Sequence, residues 1–280
     1  MFEDNVFLGE YNYERAKQWC VDHEGFLLKS VGIYLISIFS IKYLMKDRKP
    51  LIFATPLIWW NAGLALFSIL GFLRMTPTMF KVIYEHGFSY TYTHISELQT
   101  DSVSGYWTFL WCVSKIPELI DTFFIVTRKS NLIFMHWYHH ALTGYFAFLN
   151  FYTDNAYMIW VVWLNYFIHS FMYTYYMLRA AKIKVPYGAV VAQVLTSAQI
   201  VQFLITHAVM AHLAWLVLTT DAKYDVTFKG FFVGAFMEVT YLLLWFRFYH
   251  YSYIAKGGQK YAKYGDKKTE TVAAKEGKAE

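Results

Sequence analysis

The segment HALTGYFAFLNFY at residues 140–152 decides the fold of this chain, although its own length is ambiguous. It is apolar but shorter than the ~18 residues that indicate a membrane-spanning helix. Longer apolar stretches, each near or above that length, lie on both sides of it at residues 26–44, 51–73, 106–126, 157–177, 187–218 and 228–249. The chain is therefore predicted to be an all-α integral membrane protein.

Basic residues in the connecting loops indicate that the short segment also spans, which gives seven transmembrane helices. With seven spans, one side of the membrane receives the lysines of the tail and the following residues: Lys46, Arg48, Lys49, Arg128, Lys129, Arg179, Lys182 and Lys184. The other side receives fewer basic residues: Arg15, Lys17, Arg74, Lys81, Lys223 and Lys229. The positive-inside rule then predicts a cytosolic C-terminus and an N-terminus on the opposite side.

The composition supports the membrane assignment and disfavours several other classes. Apolar residues make up 57% of the chain and charged residues only 16%, against about 25% charged residues in ordinary soluble domains. A secreted miniprotein, a disordered chain and an ordinary cytosolic enzyme therefore fit poorly. We predict one membrane domain at residues 1–255 and a disordered basic cytosolic tail at residues 256–280, which has too little apolar content to fold. Much of the formal net charge of +5 lies in this tail, and no nucleic-acid partner is predicted.

Ionisable residues in the third predicted helix form the first polar cluster. Such groups cost about 2.5–3.5 kcal/mol each within a membrane span, so they are candidates for a functional site. Helical spacing places four polar residues on one stripe: Lys115, Glu118, Asp121 and Thr122. Pro117 is expected to kink the helix there. For Lys115 and Glu118, a salt bridge that holds the bundle together is an alternative to a direct catalytic role.

Three histidines form the second cluster at the predicted cytosolic end of the short helix. They are His136, His139 and His140, and their helical spacing lets all three side chains project into one cavity. A single histidine is usually a structural residue. Three within five positions at the water boundary of a membrane helix favour a catalytic or ligand-binding site.

Two further polar clusters lie in predicted helices five and six. In helix five, a shared face carries Asn165, His169, Met172, Tyr173 and Tyr176, with Tyr175 beside it. The tyrosines alone could form an interfacial aromatic belt, which does not explain the deeper Asn165 and His169. Helix six carries Thr196, Gln199 and Gln202, for which hydrogen bonding between helices is favoured over catalysis, with a cavity-lining role as the alternative.

These four clusters resemble the motifs of the ELO family of fatty acid elongases, the 3-ketoacyl-CoA synthases of the endoplasmic reticulum. The family patterns K-x-x-E-x-x-D-T, H-x-x-H-H, N-x-x-x-H-x-x-M-Y-x-Y-Y and T-x-x-Q-x-x-Q match residues 115–122, 136–140, 165–176 and 196–202 in the same order. Trp137 and Tyr138 within the histidine motif resemble the branch that elongates saturated and monounsaturated chains of about C12 to C16.

The resemblance implies a fold and an activity. Predicted helices two to seven would form a barrel around an acyl tunnel that is closed toward the lumen, with the first helix outside. The implied enzyme is a very-long-chain 3-oxoacyl-CoA synthase, an acyltransferase that condenses malonyl-CoA with a long-chain acyl-CoA to give 3-ketoacyl-CoA, CoA and CO2. No cofactor or metal is expected. Candidate partners are the 3-ketoacyl-CoA reductase, dehydratase and enoyl reductase of the elongation cycle, and homo- or hetero-oligomerisation is left open.

The same resemblance implies a multi-pass protein of the endoplasmic reticulum membrane, with its N-terminus in the lumen and its C-terminus in the cytosol. Lys278 supplies only part of a dilysine retrieval signal, because Gly277 and Glu276 stand where a second lysine would be needed.

Roles for individual residues follow from this reaction. A neutral imidazole can accept an acyl group, and His139 is the expected nucleophile, with His136 and His140 acting in orientation and electrostatics. His169 is expected to stabilise the enolate or oxyanion. Asp121 or Glu118 would orient an imidazole, and Lys115 would keep the carboxylates charged. The far end of the tunnel is expected to set chain length near Phe203, His207, Phe231 and Phe236, while Glu238 belongs to none of the motifs.

Three other functional classes compete with an elongase. A membrane di-iron desaturase or hydroxylase also uses clustered histidines, but the histidines outside the motif and His169 are scattered along the chain, so ligands for two irons are difficult to assemble. A seven-helix receptor shares the predicted topology but would place its ligand site near the extracellular half, and a transporter would need access from both sides of the membrane and often discontinuous helices. Neither of these explains a histidine cluster at the cytosolic end.

Overall fold

A computed structural model describes residues 5–255, and the regular structure in this range is helical, without strands. Ten α-helices follow one another along it: α1 Tyr13–Leu44, α2 Ala54–His86, α3 Tyr90–Thr93, α4 Glu97–Thr100, α5 Ser104–Ser114, α6 Ile120–Thr127, α7 Phe134–Tyr152, α8 Met158–Ala180, α9 Gly188–Thr219 and α10 Phe228–Tyr249. A 3-10 turn, Pro117–Leu119, joins α5 to α6, and a π-helical turn, His250–Ile254, follows α10. The predicted tail at residues 256–280, including Lys278, lies outside the described residues.

Six helical segments form a closed ring. In order around the ring, α2 packs on α5, α5 on α7, α7 on α10, α10 on α9, α9 on α8, and α8 on α2. The α2–α8 contact is close because a Cβ at Gly71 would overlap the ring of Tyr166. α1 lies outside the ring and packs on α5, α6 and α7, as expected for the first helix. A ring of this kind can enclose a cavity lined by one face of each helix.

Hydrogen bonds between loops hold the two ends of the ring together. At one end, the ammonium group of Lys129 donates to the carbonyls of Lys46 and Arg48. At the other end, Asp225 joins three loops, because its N–H donates to the Thr93 carbonyl, its carbonyl accepts from Ala156, and its carboxylate accepts from the N–H of Ile95. We call these the basic end and the Asp225 end.

Two helices extend beyond the apolar stretches that predicted them. α1 begins at Tyr13, where the side chain of Asn12 caps it, instead of near residue 26. α2 continues to His86 through Pro77, so residues that were predicted to form a connection after residue 73 are helical. Hydropathy marks the part of a helix that suits hydrocarbon, whereas capping and packing decide where the helix itself ends.

Within residues 5–255, four helices are long and apolar enough to cross a membrane by length and composition alone: α1, α2, α9, and α10 with its π-helical turn. α7 and α8 carry histidine, asparagine and tyrosine side chains, which lower their mean hydropathy. α5 and α6 are each short because Pro117 begins the turn between them. The described part of the chain is thus an all-helical protein with several candidate membrane spans.

Candidate active site

The ring encloses a cavity of about 550 Å³, within the range of about 300–1,000 Å³ that is usual for small-molecule sites. It reaches the basic end of the ring, where Arg128 and Arg179 are among its lining residues. Partial burial lowers the pKa of the Arg128 guanidinium, but the group stays charged at neutral pH because an arginine pKa starts above about 12. The cavity therefore opens at the end that carries the two arginines and extends into the space enclosed by the helical ring.

Most of the residues predicted for a site lie on the wall of this cavity: Asp121, His136, His139, His140, Asn165, His169, Tyr173, Tyr176, Gln199 and Gln202. They come from α6, α7, α8 and α9, so the ring brings together residues that are far apart in sequence. Tyr176 is 46% exposed, and the other members of the set are buried or half-buried.

The three histidines of α7 have different partners. Nε2 of His136 lies 3.1 Å from Oγ1 of Thr122, whose hydroxyl also contacts Tyr34 of α1. Nε2 of His140 lies 3.9 Å from the carboxylate of Asp121. The His139 ring packs between the aromatic rings of Tyr241 and Trp245 on α10. The positions of all three rings are therefore set by neighbouring helices as well as by α7.

Hydrogen bonds around His139 favour one tautomer of its neutral ring. The Thr143 hydroxyl donates to the backbone carbonyl of His139 at 2.7 Å, and the Tyr241 hydroxyl donates to the same carbonyl at 2.9 Å. The Thr143 oxygen can then accept a proton from Nδ1 of His139, which lies 3.4 Å away. With the proton on Nδ1, Nε2 of His139 carries the free lone pair that a nucleophile requires.

A second chain of hydrogen bonds sets the tautomer of His169. The indole N–H of Trp111 can only donate, so the Asn165 atom that it meets at 2.8 Å is the carbonyl oxygen. The amide nitrogen of Asn165 then donates to Nε2 of His169, 3.0 Å away. The proton of neutral His169 is therefore on Nδ1, and this residue can offer an N–H donor in the cavity.

Asp121 is held by hydrogen bonds from two helices. Its carboxylate accepts from the indole of Trp60 on α2 and from the hydroxyl of Tyr173 on α8, at 2.7 Å in the latter case. Asp121, rather than Glu118, is thus the acidic residue placed to orient an imidazole of the histidine cluster. This carboxylate also connects α2, α6 and α8 across the cavity.

Lys115 and Glu118 do not line the cavity, and the four residues of their motif do not share one stripe. The ammonium group of Lys115 lies 2.7 Å from the Glu118 carboxylate, which also accepts from Ser114, and both charged groups are buried. Lys115 lies over the ring of Trp111 as well. The 3-10 turn that begins at Pro117 interrupts the regular helical spacing, so Asp121 points into the cavity while this ion pair packs outside it.

Both cysteines of the chain lie away from the cavity wall. Cys20 and Cys112 are free and fully buried, and the Cys112 thiol contacts the carbonyl of Ala147. A cysteine nucleophile is therefore not placed to react with a ligand in this cavity, whereas the imidazoles are.

Sequence reasoning missed several residues of the site, namely Trp60, Trp111, Thr143, Tyr241 and Trp245. All five line the cavity and contact a predicted site residue or its backbone. In the sequence, these residues are recognisable only as polar or aromatic residues within predicted membrane helices. Such residues also occur in an interfacial aromatic belt and in ordinary helix packing, so they do not by themselves indicate a site. On α9, Thr196, Gln199 and Gln202 line the cavity, which was the alternative to a purely structural role.

Comparisons with known proteins agree with the motifs. A family model described as ELO: GNS1/SUR4 family matches residues 19–261. Long chain fatty acid elongase 1 of Caenorhabditis elegans is 39% identical over 253 residues, which cover 90% of this chain and 87% of that protein. Very long chain fatty acid elongase 6 of Drosophila melanogaster is 33% identical, with coverage of 91% and 80%, and very long chain fatty acid elongase 3 of Mus musculus is 35% identical, with coverage of 82% and 83%. The chain therefore belongs to the ELO family of fatty acid elongases.

Proposed function

We propose that the cavity is the active site of a very-long-chain 3-oxoacyl-CoA synthase, which condenses a long-chain acyl-CoA with malonyl-CoA to give 3-ketoacyl-CoA, CoA and CO2. Membership of the ELO family supports this activity. The structural observation that carries the proposal is that His139 and His169 line the same cavity, with hydrogen bonds that place the proton of neutral His169 on Nδ1 and with an oxygen, that of Thr143, beside Nδ1 of His139. One ring is suited to attack and the other to donate.

The reaction would begin with Nε2 of His139 attacking the thioester carbonyl. The C–S bond breaks, the CoA sulfur takes up the proton that the acylated ring loses from Nδ1, and CoA leaves as a thiol while the acyl group remains on Nε2. Malonyl-CoA then loses CO2, and the resulting enolate carbon attacks the acyl carbonyl, breaks the bond between the acyl carbon and Nε2, and releases the imidazole, which takes up a proton from the solvent. The Nδ1–H of His169 would stabilise the negative charge on the enolate oxygen during the condensation step, in a site shielded from water. This sequence needs no redox group, so we propose that no cofactor is used.

The two ends of the cavity would suit the two parts of the substrate. The CoA nucleotide carries several negative charges and would lie at the basic end near Arg128 and Arg179, while the acyl chain extends among the helices. The loops with more basic residues meet at this end. We therefore propose that all seven helical segments cross the endoplasmic reticulum membrane, with the basic end and the C-terminus in the cytosol and the N-terminus in the lumen.

The covalent step can be tested with purified protein. Incubation with an acyl-CoA alone, followed by quenching that preserves acyl-imidazoles and by intact-mass analysis, should show one acyl adduct. His139→Ala should abolish both the adduct and the condensation. His86→Ala is a matched control, because His86 is exposed and lies outside the cavity. Normal turnover without an adduct would refute the covalent mechanism and favour direct condensation of two bound thioesters.

The same preparation tests the competing classes and the partners. Iron that copurifies in stoichiometric amount and is required for turnover would support a di-iron enzyme instead. Crosslinking in native membranes would show whether the reductase and dehydratase of an elongation cycle, or a second copy of the chain, lie next to this protein.

A further inference from the structure

A polar cluster at the deep end of the cavity is not used by the condensation proposed above. It consists of Thr206 and His207 on α9 and Glu238 on α10. Glu238 lines the cavity and is 1% exposed. Its carboxylate accepts a hydrogen bond from the Thr206 hydroxyl at 2.5 Å and lies 3.7 Å from Nδ1 of His207.

The hydrogen bonding of this cluster is incomplete. Among the described residues, two buried side-chain polar atoms lack a hydrogen-bond partner, and both belong to the cluster: Oε1 of Glu238 and Nε2 of His207. Nδ1 of His207 cannot turn to the carboxylate without loss, because it donates to the carbonyl of Phe203 at 2.6 Å. A buried polar atom without a partner costs about 1–3 kcal/mol, and such violations are expected at functional or strained sites.

The position of Glu238 fixes which part of an acyl chain it would meet. Tyr241 contacts the backbone of His139, and Glu238 precedes Tyr241 by one helical turn, about 4.5 Å along α10. α10 runs from the Asp225 end toward the basic end, so Glu238 lies deeper in the cavity than His139. A chain attached to His139 would pass Glu238 before its methyl end, in the half that is nearer to the thioester.

Chemistry limits the group that this subsite can hold. Oε1 is buried in the present position of the Glu238 side chain, so a rotation of that side chain is needed to present it to an acyl chain. Methylene groups cannot form a hydrogen bond with Oε1, and an unsubstituted chain therefore leaves the atom unsatisfied. A hydroxyl both donates and accepts, and it therefore fits the carboxyl group in either protonation state. Gln202, one turn before Thr206 on α9, also lines the cavity and adds a second polar side chain on this wall.

We propose that Glu238, supported by Thr206, forms a subsite for a hydroxyl group carried on the acyl chain, so that the enzyme elongates certain hydroxyacyl-CoAs in preference to others. This inference rests on the proposed elongase function. It predicts a preference that depends on the position of the hydroxyl, because the distance between His139 and Glu238 is set by the packing of α7 on α10.

The test uses full-length protein, malonyl-CoA, one saturated acyl-CoA and a series of its monohydroxylated positional isomers. In competition assays, an isomer with its hydroxyl in the half nearer to the thioester should show a kcat/KM about tenfold above isomers hydroxylated near the methyl end. Glu238→Leu should abolish this preference, and Glu238→Gln should keep most of it, since an amide still donates and accepts. Val239→Leu is the control, because Val239 is 47% exposed on the outer side of α10.

Each outcome decides between the alternatives. Equal use of all hydroxylated isomers by an active enzyme would overturn this inference while the elongase function stands, as would a preference that survives Glu238→Leu. If Glu238→Leu does not fold, loss of the preference in Thr206→Val gives the same support, and its retention in that variant overturns the subsite. Absence of turnover with every acyl-CoA would refute the proposed function and this inference with it.

Discussion

The hydrogen-bond relay from Trp111 through Asn165 to His169 makes a sharp kinetic prediction. Trp111→Phe removes the indole donor but keeps an aromatic ring in place, so the Asn165 oxygen loses its partner and the amide is free to turn. The turned amide would present its oxygen to Nε2 of His169, which favours the wrong tautomer for an Nδ1–H donor. The variant should therefore be impaired in the step that His169 serves.

The expected size follows from the groups involved. A buried acceptor without a partner costs about 1–3 kcal/mol, and 1.36 kcal/mol on the barrier corresponds to a tenfold change in rate. We expect kcat for condensation to fall about tenfold in Trp111→Phe. Asn165→Leu removes the donor to His169 altogether and should cost about 100-fold, in the range found when a single oxyanion donor is deleted.

Two measurements separate this role from a general loss of stability. Acyl-adduct formation from acyl-CoA alone should proceed at the normal rate in both variants, because His139 performs that step. The double variant Trp111→Phe/Asn165→Leu should be no slower than Asn165→Leu alone, since Trp111 acts through Asn165. Trp163→Phe is the control, because it also removes an indole hydrogen bond, to Thr76, away from the cavity. Rate losses that multiply in the double variant, or a slowed adduct step, would refute the relay.

Two further predictions concern packing and chain length. Gly234→Ala places a Cβ against the Tyr157 hydroxyl and should lower the free energy of unfolding by about 2–4 kcal/mol through overpacking and lost hydrogen bonds. The thermal unfolding temperature in detergent should fall in this variant but not in the control Gly63→Ala, where a Cβ meets no neighbouring atom. Phe203→Ala should lengthen the longest product, because Phe203 lines the cavity. Phe236→Ala should leave product length unchanged, because the Phe236 side chain is half-exposed on α10. Unchanged product lengths in both variants, measured by mass spectrometry, would exclude Phe203 from chain-length control.

The sequence predicted the elements of the fold better than their ends. Apolar runs located the long helices, and Pro117 marked the break between α5 and α6. The same approach could not place the start of α1 at Tyr13, because the first turns of that helix are polar and are stabilised by the Asn12 cap and by contacts such as Lys17 with Asp154. Hydropathy records the environment of a helix rather than its hydrogen bonding.

The candidate site was predictable where several polar residues recur at helical spacing. His136, His139, His140 and His169 stand out in a membrane helix, because polar groups there are costly, and the structure places all four on one cavity. The sequence could not show that only Asp121 of the two acidic residues in the K-x-x-E-x-x-D-T motif lines the cavity. This depends on a 3-10 turn, after which Asp121 points into the cavity while Glu118 is paired with Ser114 and Lys115. Their roles in catalysis stay predictions.

Phe203 and Phe236 illustrate the same limit for the deep end of the cavity. Both were expected near the closed end of the tunnel, but Phe203 packs on Trp245 within the cavity wall while Phe236 is 51% exposed on α10. Nothing in their residue type distinguishes them. The direction of each side chain depends on the rotation of its helix about its own axis, which a nearly uniform apolar helix does not encode in its sequence.

The three hydrogen bonds of Asp225 limit how the helical bundle can deform. It joins the segments around Thr93, Ala156 and Asp225 at the end of the ring opposite the histidines, so the helices there cannot separate without breaking backbone contacts together. At the basic end, the loops are joined through the exposed Lys129 side chain and one backbone hydrogen bond, from Leu51 to Thr127. We therefore expect the helices to separate more easily there and the deep wall to keep its depth as substrates enter. The deep wall would therefore limit acyl-chain length at a constant distance from the histidines. Sequence changes in the loops at the basic end would alter the rate at which acyl-CoA enters without changing the longest chain that is accepted.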